Sequence, residues 1–563
     1  MGATANREDG GMGNRPQIRA NQHAILSIDF ESSLSRDRWR AHAGRPNSDV
    51  VREAASARRD HLACCGLADA LIIDACYAQS RQIAPLTQSL LLNRSTLKDD
   101  GGPGRGRKTL PATQLTTTKY ASRLCSRCGE GKVQQSTLSG RDTEPAGAGS
   151  LSSDIVLRPA PGGIKGWLMS FVLETGLPLL FRLLRWLPWN LRLGVVFATR
   201  CDEVREVLRN DAAFRVAYGA KLHVITGGEP FFLSMDDTPQ YRHDTGTLRK
   251  AVRVSDIPAR LIPEVERLGE KFVSDAIHNG KGQIEVVDLV RRITFALYQS
   301  YLGIPDPPGI VLPVWLMRLF EFQFADDFDD PELRKEVDAD GLALRNHIDA
   351  LISARKAAGT GPDDVLGRCV AIQAEDPASF SDVQIRTSLL GMIYGGPPQP
   401  PMGVPQALEQ LLRRPDALKG AQQAARAGDD KLLAGFVFEA MRFDPVAPFL
   451  RRVAKQDAVI AAGTPRAVTV PKDKTVLVAL SSAMMDERRV PNPAQFDPHR
   501  TPDQYIPFGL DHHQCFGIHM NNALLPRMLK ALLQRPNLRR APGPRGQLSK
   551  RGPFADQLWV EYE

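Results

Sequence analysis

With 563 residues, 42% of them hydrophobic, the chain is long enough for a large core plus additional sequence. Its net charge of +8 suggests nucleic acid, but residues 1–150 hold 21 Lys/Arg against 15 Asp/Glu, so most of the excess lies in that first stretch. The excess clusters between Arg105 and Arg141 with a single interleaved aromatic, Tyr120, and nucleic acid is not an expected partner. Eight cysteines in such a length exclude a disulfide scaffold and point to a reducing compartment.

Residues 1–160 read as a low-complexity, disordered extension, separate from a catalytic domain over 161–563. Ser, Gly, Thr, Arg and Ala dominate there, and helix-period patterning is confined to Leu67–Tyr77. Cys125-Ser-Arg-Cys128 is like half of a zinc ribbon, but no second Cys-x-x-Cys lies at suitable spacing, so zinc is not expected. Met1–Arg19 is polar and lacks an apolar h-region, which favours a cytoplasmic location. The apolar segment Trp167–Trp189 is interrupted by Glu174, Pro178, Arg182 and Arg185 and is a poor membrane span. Its tryptophans and arginines suit at most a peripheral position in a membrane interface; the alternative is a helix packed on the core.

Asn190–Thr199 reads as strand and Asp202–Leu208 as helix, and helical periodicity covers Leu261–Leu302 and Pro331–Ala357. Between the last two, Trp315–Ala325 is rich in aromatics, with Phe320, Phe322 and Phe324 on both sides of a helix, which favours an apolar substrate. Further on, Pro397, Pro398, Pro400 and Pro401 remove amide donors, each costing roughly 3 kcal/mol in a helix interior. A helix over residues 388–412 should therefore be broken. In Gly435–Pro445 the spacing puts Glu439 and Arg442 on one helix face before a proline ends it. Alone, such a pair is usually a solvated surface contact. Downstream come Phe449–Asp457, a strand-like Thr475–Leu480, and Pro493–Arg500. Last, Phe508–Gly517 sets Cys515 in a tight glycine-bounded loop before a helix over Ile518–Leu532. A thiolate there is a strong metal donor, and the helix N-terminus should lower its pKa. His513, two residues before the sulfur, can offer a hydrogen bond or positive charge to an anionic cofactor group.

The ordered set of Glu-x-x-Arg, paired arginines, Phe-x-Pro-x-Arg and cysteine loop closely resembles the cytochrome P-450 haem-thiolate superfamily over about residues 190–563. The resemblance implies that superfamily's fold, mainly α with small β-sheets, and haem b as cofactor. It makes Cys515 the axial iron ligand, with Phe508, Gly509, His513 and Gly517 matching the loop motif. Asp511 departs from a glycine, which is tolerable if it adopts the left-handed conformation. Glu439, Arg442 and Arg500 take the structural role of the family's locked pair and meander arginine. Arg452 resembles the strand arginine that pairs with a haem propionate. Met235–Val252 resembles the family's Pro-x-His-x-x-x-Arg with altered spacing, making His243 and Arg249 propionate candidates. Trp315–Ala325 falls where the family has a mobile substrate cover.

The distal helix departs from the family pattern. Gly395 and Gly396 match it, but Pro398 stands at the acid and Gln399 at the threonine that deliver protons to iron-bound dioxygen; neither replacement is a useful proton donor. The candidate catalytic positions are thus Gly396 and Gln399, with Gln399 steering a hydroperoxide by hydrogen bonding. The resemblance implies an oxidoreductase acting as a monooxygenase, or as a peroxygenase or isomerase on a hydrophobic small molecule such as a fatty acid or its hydroperoxide. A monooxygenase would draw electrons from a ferredoxin and its reductase. The alternative from another class is a non-catalytic haem-binding sensor or carrier.

Overall fold

The computed structural model describes residues 176–326 and 329–563. The low-complexity reading of residues 1–160, the Leu67–Tyr77 run, the Cys125–Cys128 pair and the first part of Trp167–Trp189 lie outside the described residues.

In chain order, α1 (Leu177–Trp186) precedes β1 (Arg192–Leu193), β2 (Val195–Ala198), α2 (Cys201–Arg209), β3 (Phe214–Val216), α3 (Gly219–Thr226) and α4 (Pro239–Ala251). Next come α5 (Ile262–Asp275), β4 (Ile277–His278), β5 (Lys281–Glu285), α6 (Val286–Leu302), α7 (Leu312–Phe324) and α8 (Pro331–Ala358). Helices α9 (Val365–Glu375), α10 (Asp382–Gly395), α11 (Pro400–Leu412), α12 (Pro415–Ala427) and α13 (Asp430–Phe443) complete the helical body. The chain then forms β6 (Leu450–Ala454), β7 (Ala458–Ile460), β8 (Val468–Val470), β9 (Thr475–Val478) and the short α14 (Leu480–Ala483). Helices α15 (Ile518–Met528) and α16 (Lys530–Leu533) lead to β10 (Arg539–Arg540), β11 (Ser549–Arg551), β12 (Phe554–Gln557) and β13 (Trp559–Tyr562).

The architecture is mainly helical with small sheets, as the resemblance implies. One sheet has the order β1-β2-β9-β6-β3 and another β10-β13-β5-β4, with β7-β8 and β11-β12 as separate pairs. Three elements differ from their sequence reading, one of them the helix expected over Ile518–Leu532, which is divided at Leu529 into α15 and α16. Asn190–Thr199 is two short strands folded back at Gly194, whose φ of 69° suits glycine, with Arg192 opposite Val196. Leu261–Leu302 is divided into α5 and α6 by the β4–β5 hairpin. Its turn, Asn279-Gly280, has φ of 53° and 75° and tolerates the left-handed region that a helix excludes.

The distal helix is interrupted where the prolines predict. Ser381 accepts from the Gln384 N–H to start α10, and the ladder stops with Gly396 N–H on the Met392 carbonyl. It resumes at Gly403 N–H on the Gln399 carbonyl, at 3.2 Å. Gly396 and Gln399 keep right-handed helical dihedrals, so the prolines remove hydrogen bonds while the chain continues in the helical sense.

Behind the cysteine loop, α13 is tied to residues 484–505 by a fully buried charge network. Arg442 meets Glu439 with two hydrogen bonds, Nη2 to Oε1 at 2.7 Å and Nε to Oε2 at 2.8 Å. Arg500 Nε, Asp497 N–H and Tyr505 Oη also donate to that carboxylate, at 3.0–3.1 Å. The remaining Arg442 donors go to the Met484 and Pro493 carbonyls. Glu439 has 0% exposure and Arg442 1%. Glu439→Ala should therefore leave two buried guanidiniums facing one another and cost roughly 3–5 kcal/mol, read as a fall in the denaturation midpoint. One turn earlier, Gly435 lies so near the Pro498 carbonyl that a Cβ would overlap it. Gly435→Ala should cost about 1–3 kcal/mol by the same measurement, without removing any hydrogen bond.

Candidate haem-binding site

The loop from Phe508 to Gly517 is shaped by two left-handed residues, Gly509 at φ 69° and Asp511 at φ 52°. Asp511 thus takes the conformation its substitution for glycine requires. Cys515 N–H donates to the Phe508 carbonyl at 2.9 Å and Gln514 N–H to the Asp511 carbonyl at 3.0 Å, closing the loop on itself. The Phe508 ring packs edge-to-face on Phe438 of α13, so the loop is seated against the helix that carries the Glu439 network. Helix α15 begins three residues after the sulfur.

Cys515 Sγ receives a hydrogen bond from Asn521 Nδ2 at 3.6 Å, and the Gly517 N–H beside it also favours the thiolate. Burial nevertheless dominates and pushes the thiol pKa up. The lowering expected from the helix terminus is thus outweighed by desolvation. Bound metal is the partner that would favour the thiolate.

Cys515 and Tyr218 are enclosed by protein yet only half-buried, so each borders internal space. A cavity is lined by Cys515, His513, Phe516, Arg249, Tyr241 and Phe232. Phe516 holds Arg249 from α4 over its ring, 4.8 Å from guanidinium to centroid. Arg452, on β6, is only 4% exposed, and among the described residues its guanidinium hydrogen-bonds only to the neighbouring Arg451 carbonyl. Burial lowers its pKa, with Tyr218 and Asp211 opposing from a distance. Among the described residues no carboxylate lies within ion-pair distance of Arg452 or Arg249.

These residues fit a haem: a thiol facing enclosed space for the iron, and for its carboxylates two cations without a counter-ion among the described residues, Arg452 buried and Arg249 exposed at the cavity. His513 is buried, with Nε2 3.9 Å from Asp211 Oδ1. Burial, then Arg452 and His512, hold its pKa down at about 3. Of the two roles expected for it, hydrogen bonding is open and positive charge is not.

His243 is placed elsewhere. Its Nε2 lies 2.8 Å from the Ser379 carbonyl, in the connection between α9 and α10, and its ring does not line the cavity. Tyr241 does, with its hydroxyl donating to the His512 carbonyl at 3.1 Å. The sequence reading missed Tyr241 although it stands two residues after Pro239, where the family motif has its histidine.

Gln399 and Gly395 lie one turn apart at the interruption, on a side that is open. A Cβ on Gly395 would meet nothing within 4 Å, and the Gln399 side chain is exposed. Gln399 Nε2 donates to the Gly395 carbonyl at 2.6 Å, making with its side chain a bond that the backbone ladder lacks. Gly396 faces the other way, where a Cβ would press on the Tyr298 ring of α6, so it serves close packing. Tyr394 Oη donates to Gln323 Oε1, joining the distal helix to α7. Neither residue was singled out from the sequence, where isolated Tyr and Gln carry no spacing signal.

A Cytochrome P450 family model matches residues 317–552. Over 130 residues, 23% of the chain, there is 32% identity to the bifunctional dioxygenase (DOX)-epoxy alcohol synthase (EAS) of Pyricularia oryzae, spanning 11% of that protein's own length. Over 354 residues, 62% of the chain, there is 26% identity to the steroid C26-monooxygenase of Mycolicibacterium smegmatis, 82% of which is covered. The crystal structure of CalO2 aligns with a TM-score of 0.58 at 22% identity, covering 70% of this chain and 97% of CalO2. That family carries haem iron, which agrees with the thiol and cations found here. With the cysteine loop and the family match, residues 317–552 belong to the cytochrome P450 superfamily, and the helical body shares the fold of its solved members.

Proposed function

We propose that this protein is a cytoplasmic haem-thiolate oxidoreductase that holds haem b through Cys515 and acts on the hydroperoxide of a hydrophobic chain such as a fatty acid. The observation that carries this reading is the interrupted distal helix. Pro398 and Gln399 supply neither a carboxyl nor a hydroxyl group, so the two positions expected to deliver protons to dioxygen cannot do so. A hydroperoxide arrives already reduced and carrying its proton, and needs positioning more than proton delivery. An epoxy alcohol is an isomer of an unsaturated hydroperoxide, so the name of the Pyricularia relative is consistent with such chemistry.

Haem b, when bound, supplies an electron-rich iron at which an oxygen–oxygen bond can be broken. The rest falls to side chains. Arg452 and Arg249 hold its carboxylates by charge-assisted hydrogen bonds, and His513 stays neutral and donates. Gln399, on the open side of the distal helix, exchanges its bond to the Gly395 carbonyl for one to a substrate oxygen. Phe320 and Phe322 of α7, both buried, shape an apolar cover. A second reading is ordinary monooxygenation with electrons from a ferredoxin and its reductase, in line with the Mycolicibacterium relative's name.

Under anaerobic conditions and without reductant, the protein should consume fatty-acid hydroperoxides faster than a ferredoxin system with dioxygen supports hydroxylation; the reverse order would favour monooxygenation. Gln399→Leu should lower hydroperoxide turnover about tenfold or more, as expected for loss of one positioning hydrogen bond, with haem content unchanged. Cys515→Ser should abolish the thiolate-type spectrum of the reduced carbon monoxide complex, and an unchanged spectrum would exclude Cys515 as the ligand.

A further inference from the structure

One face of α1 is built into the fold and the other is bare. Phe181 and Leu184 are buried against Phe197 and Ala479, and Arg185 Nη1 donates to both the carbonyl and hydroxyl of Ser482 at 2.9 Å. Past the helix end, Arg466 Nη1 donates to the carbonyls of Leu184, Leu187 and Trp189 at 2.7–3.0 Å. The helix is therefore fixed in orientation. On its outer side Leu179, Leu183 and Trp186 follow one another by a turn each, and Trp189 comes just after. They are 58%, 58%, 53% and 56% exposed, which makes them four of the ten large apolar residues exposed among the described residues. All four fall within eleven consecutive positions. An apolar patch that the fold holds outward marks an interaction surface.

Charge and size indicate what covers it. Residues 175–201 contain no Asp or Glu, and Arg182 is exposed beside the leucines, while Arg185 is turned into the fold. Tryptophan presents an apolar body with one polar N–H, the combination favoured where hydrocarbon meets water. Four side chains on a ten-residue helix fall well short of the roughly 20–30 residues a side that a stable protein–protein interface buries. A lipid surface has no such minimum, and basic charge adds to apolar burial there. At ten residues α1 is too short to cross a bilayer, which takes about 20 residues, so it would lie in the interface plane.

We propose that Leu179, Leu183, Trp186 and Trp189, with Arg182, form a docking surface for an anionic lipid bilayer. This does not depend on which oxidant the haem site uses. The test is flotation of the full chain with phosphatidylcholine vesicles prepared with and without phosphatidylglycerol. The protein should float with the anionic vesicles, and Leu179→Ser/Leu183→Ser/Trp186→Ser should bind them about tenfold or more weakly, as expected when apolar burial drives the contact. Arg182→Glu should weaken binding to the anionic vesicles only. Val254→Ser/Leu342→Ser, at exposed apolar positions on other elements, should bind like the parent. Brominated lipid should quench fluorescence in the parent and less in Trp186→Ser, with circular dichroism unchanged in all variants. No binding to either vesicle, or undiminished binding by the triple variant, would overturn the proposal. So would concentration-dependent dimerisation lost in the triple variant, which would assign the face to a second copy. Shielding of Trp186 from iodide in lipid-free protein would likewise overturn it, because another segment of the chain would cover the face.

Discussion

Arg452 is a guanidinium held away from water with no carboxylate in ion-pair reach among the described residues, and much of the site is arranged around that imbalance. A buried ion costs several kcal/mol even after the protein relaxes. Its neighbours do little to offset the cost: Asp211 acts only at a distance, and the Cys515 thiol is pushed toward its protonated form. A metal-bearing macrocycle with carboxylates would supply what both Arg452 and Cys515 lack. The metal stabilises the thiolate, and the carboxylates give Arg452 and Arg249 their missing partners. Cofactor binding and folding are then thermodynamically linked.

The Glu439 network shows the opposite solution to the same problem. It too places charge in the core, but the carboxylate is surrounded by donors from Arg442, Arg500, Asp497 and Tyr505. That network fixes α13, and Phe438 on α13 seats Phe508 at the start of the cysteine loop. A self-satisfied cluster thus positions the ligand loop, and an unsatisfied one faces the cavity.

What the sequence made legible follows from how narrowly each role restricts residue type. Glu439, Arg442, Arg500 and Cys515 stand at spacings that few other residues can serve, and the prolines at 397–401 cannot sit in an intact hydrogen-bonded helix. His243 shows the converse. In α4, helical period puts Tyr241, Thr245 and Arg249 on one face and turns His243 about 200° away; choosing by residue type overrode that geometry. The split of Leu261–Leu302 was missed because apolar residues in a short hairpin resemble a helical run, although Asn279-Gly280 carried the turn signal. The raised pKa of Cys515 was not legible at all, since it depends on how deeply the folded chain buries the sulfur.

The imbalance around Arg452 is tested most directly by measuring the thermal stability of Arg452→Met with and without haem. The substitution keeps side-chain bulk and removes the charge. The account predicts that the haem-free variant melts at a higher temperature than the haem-free parent, because a buried uncompensated ion is gone, and that the haem-loaded variant melts lower and releases haem faster. A variant less stable than the parent in both states would contradict it, because the guanidinium would then be satisfied by the protein alone.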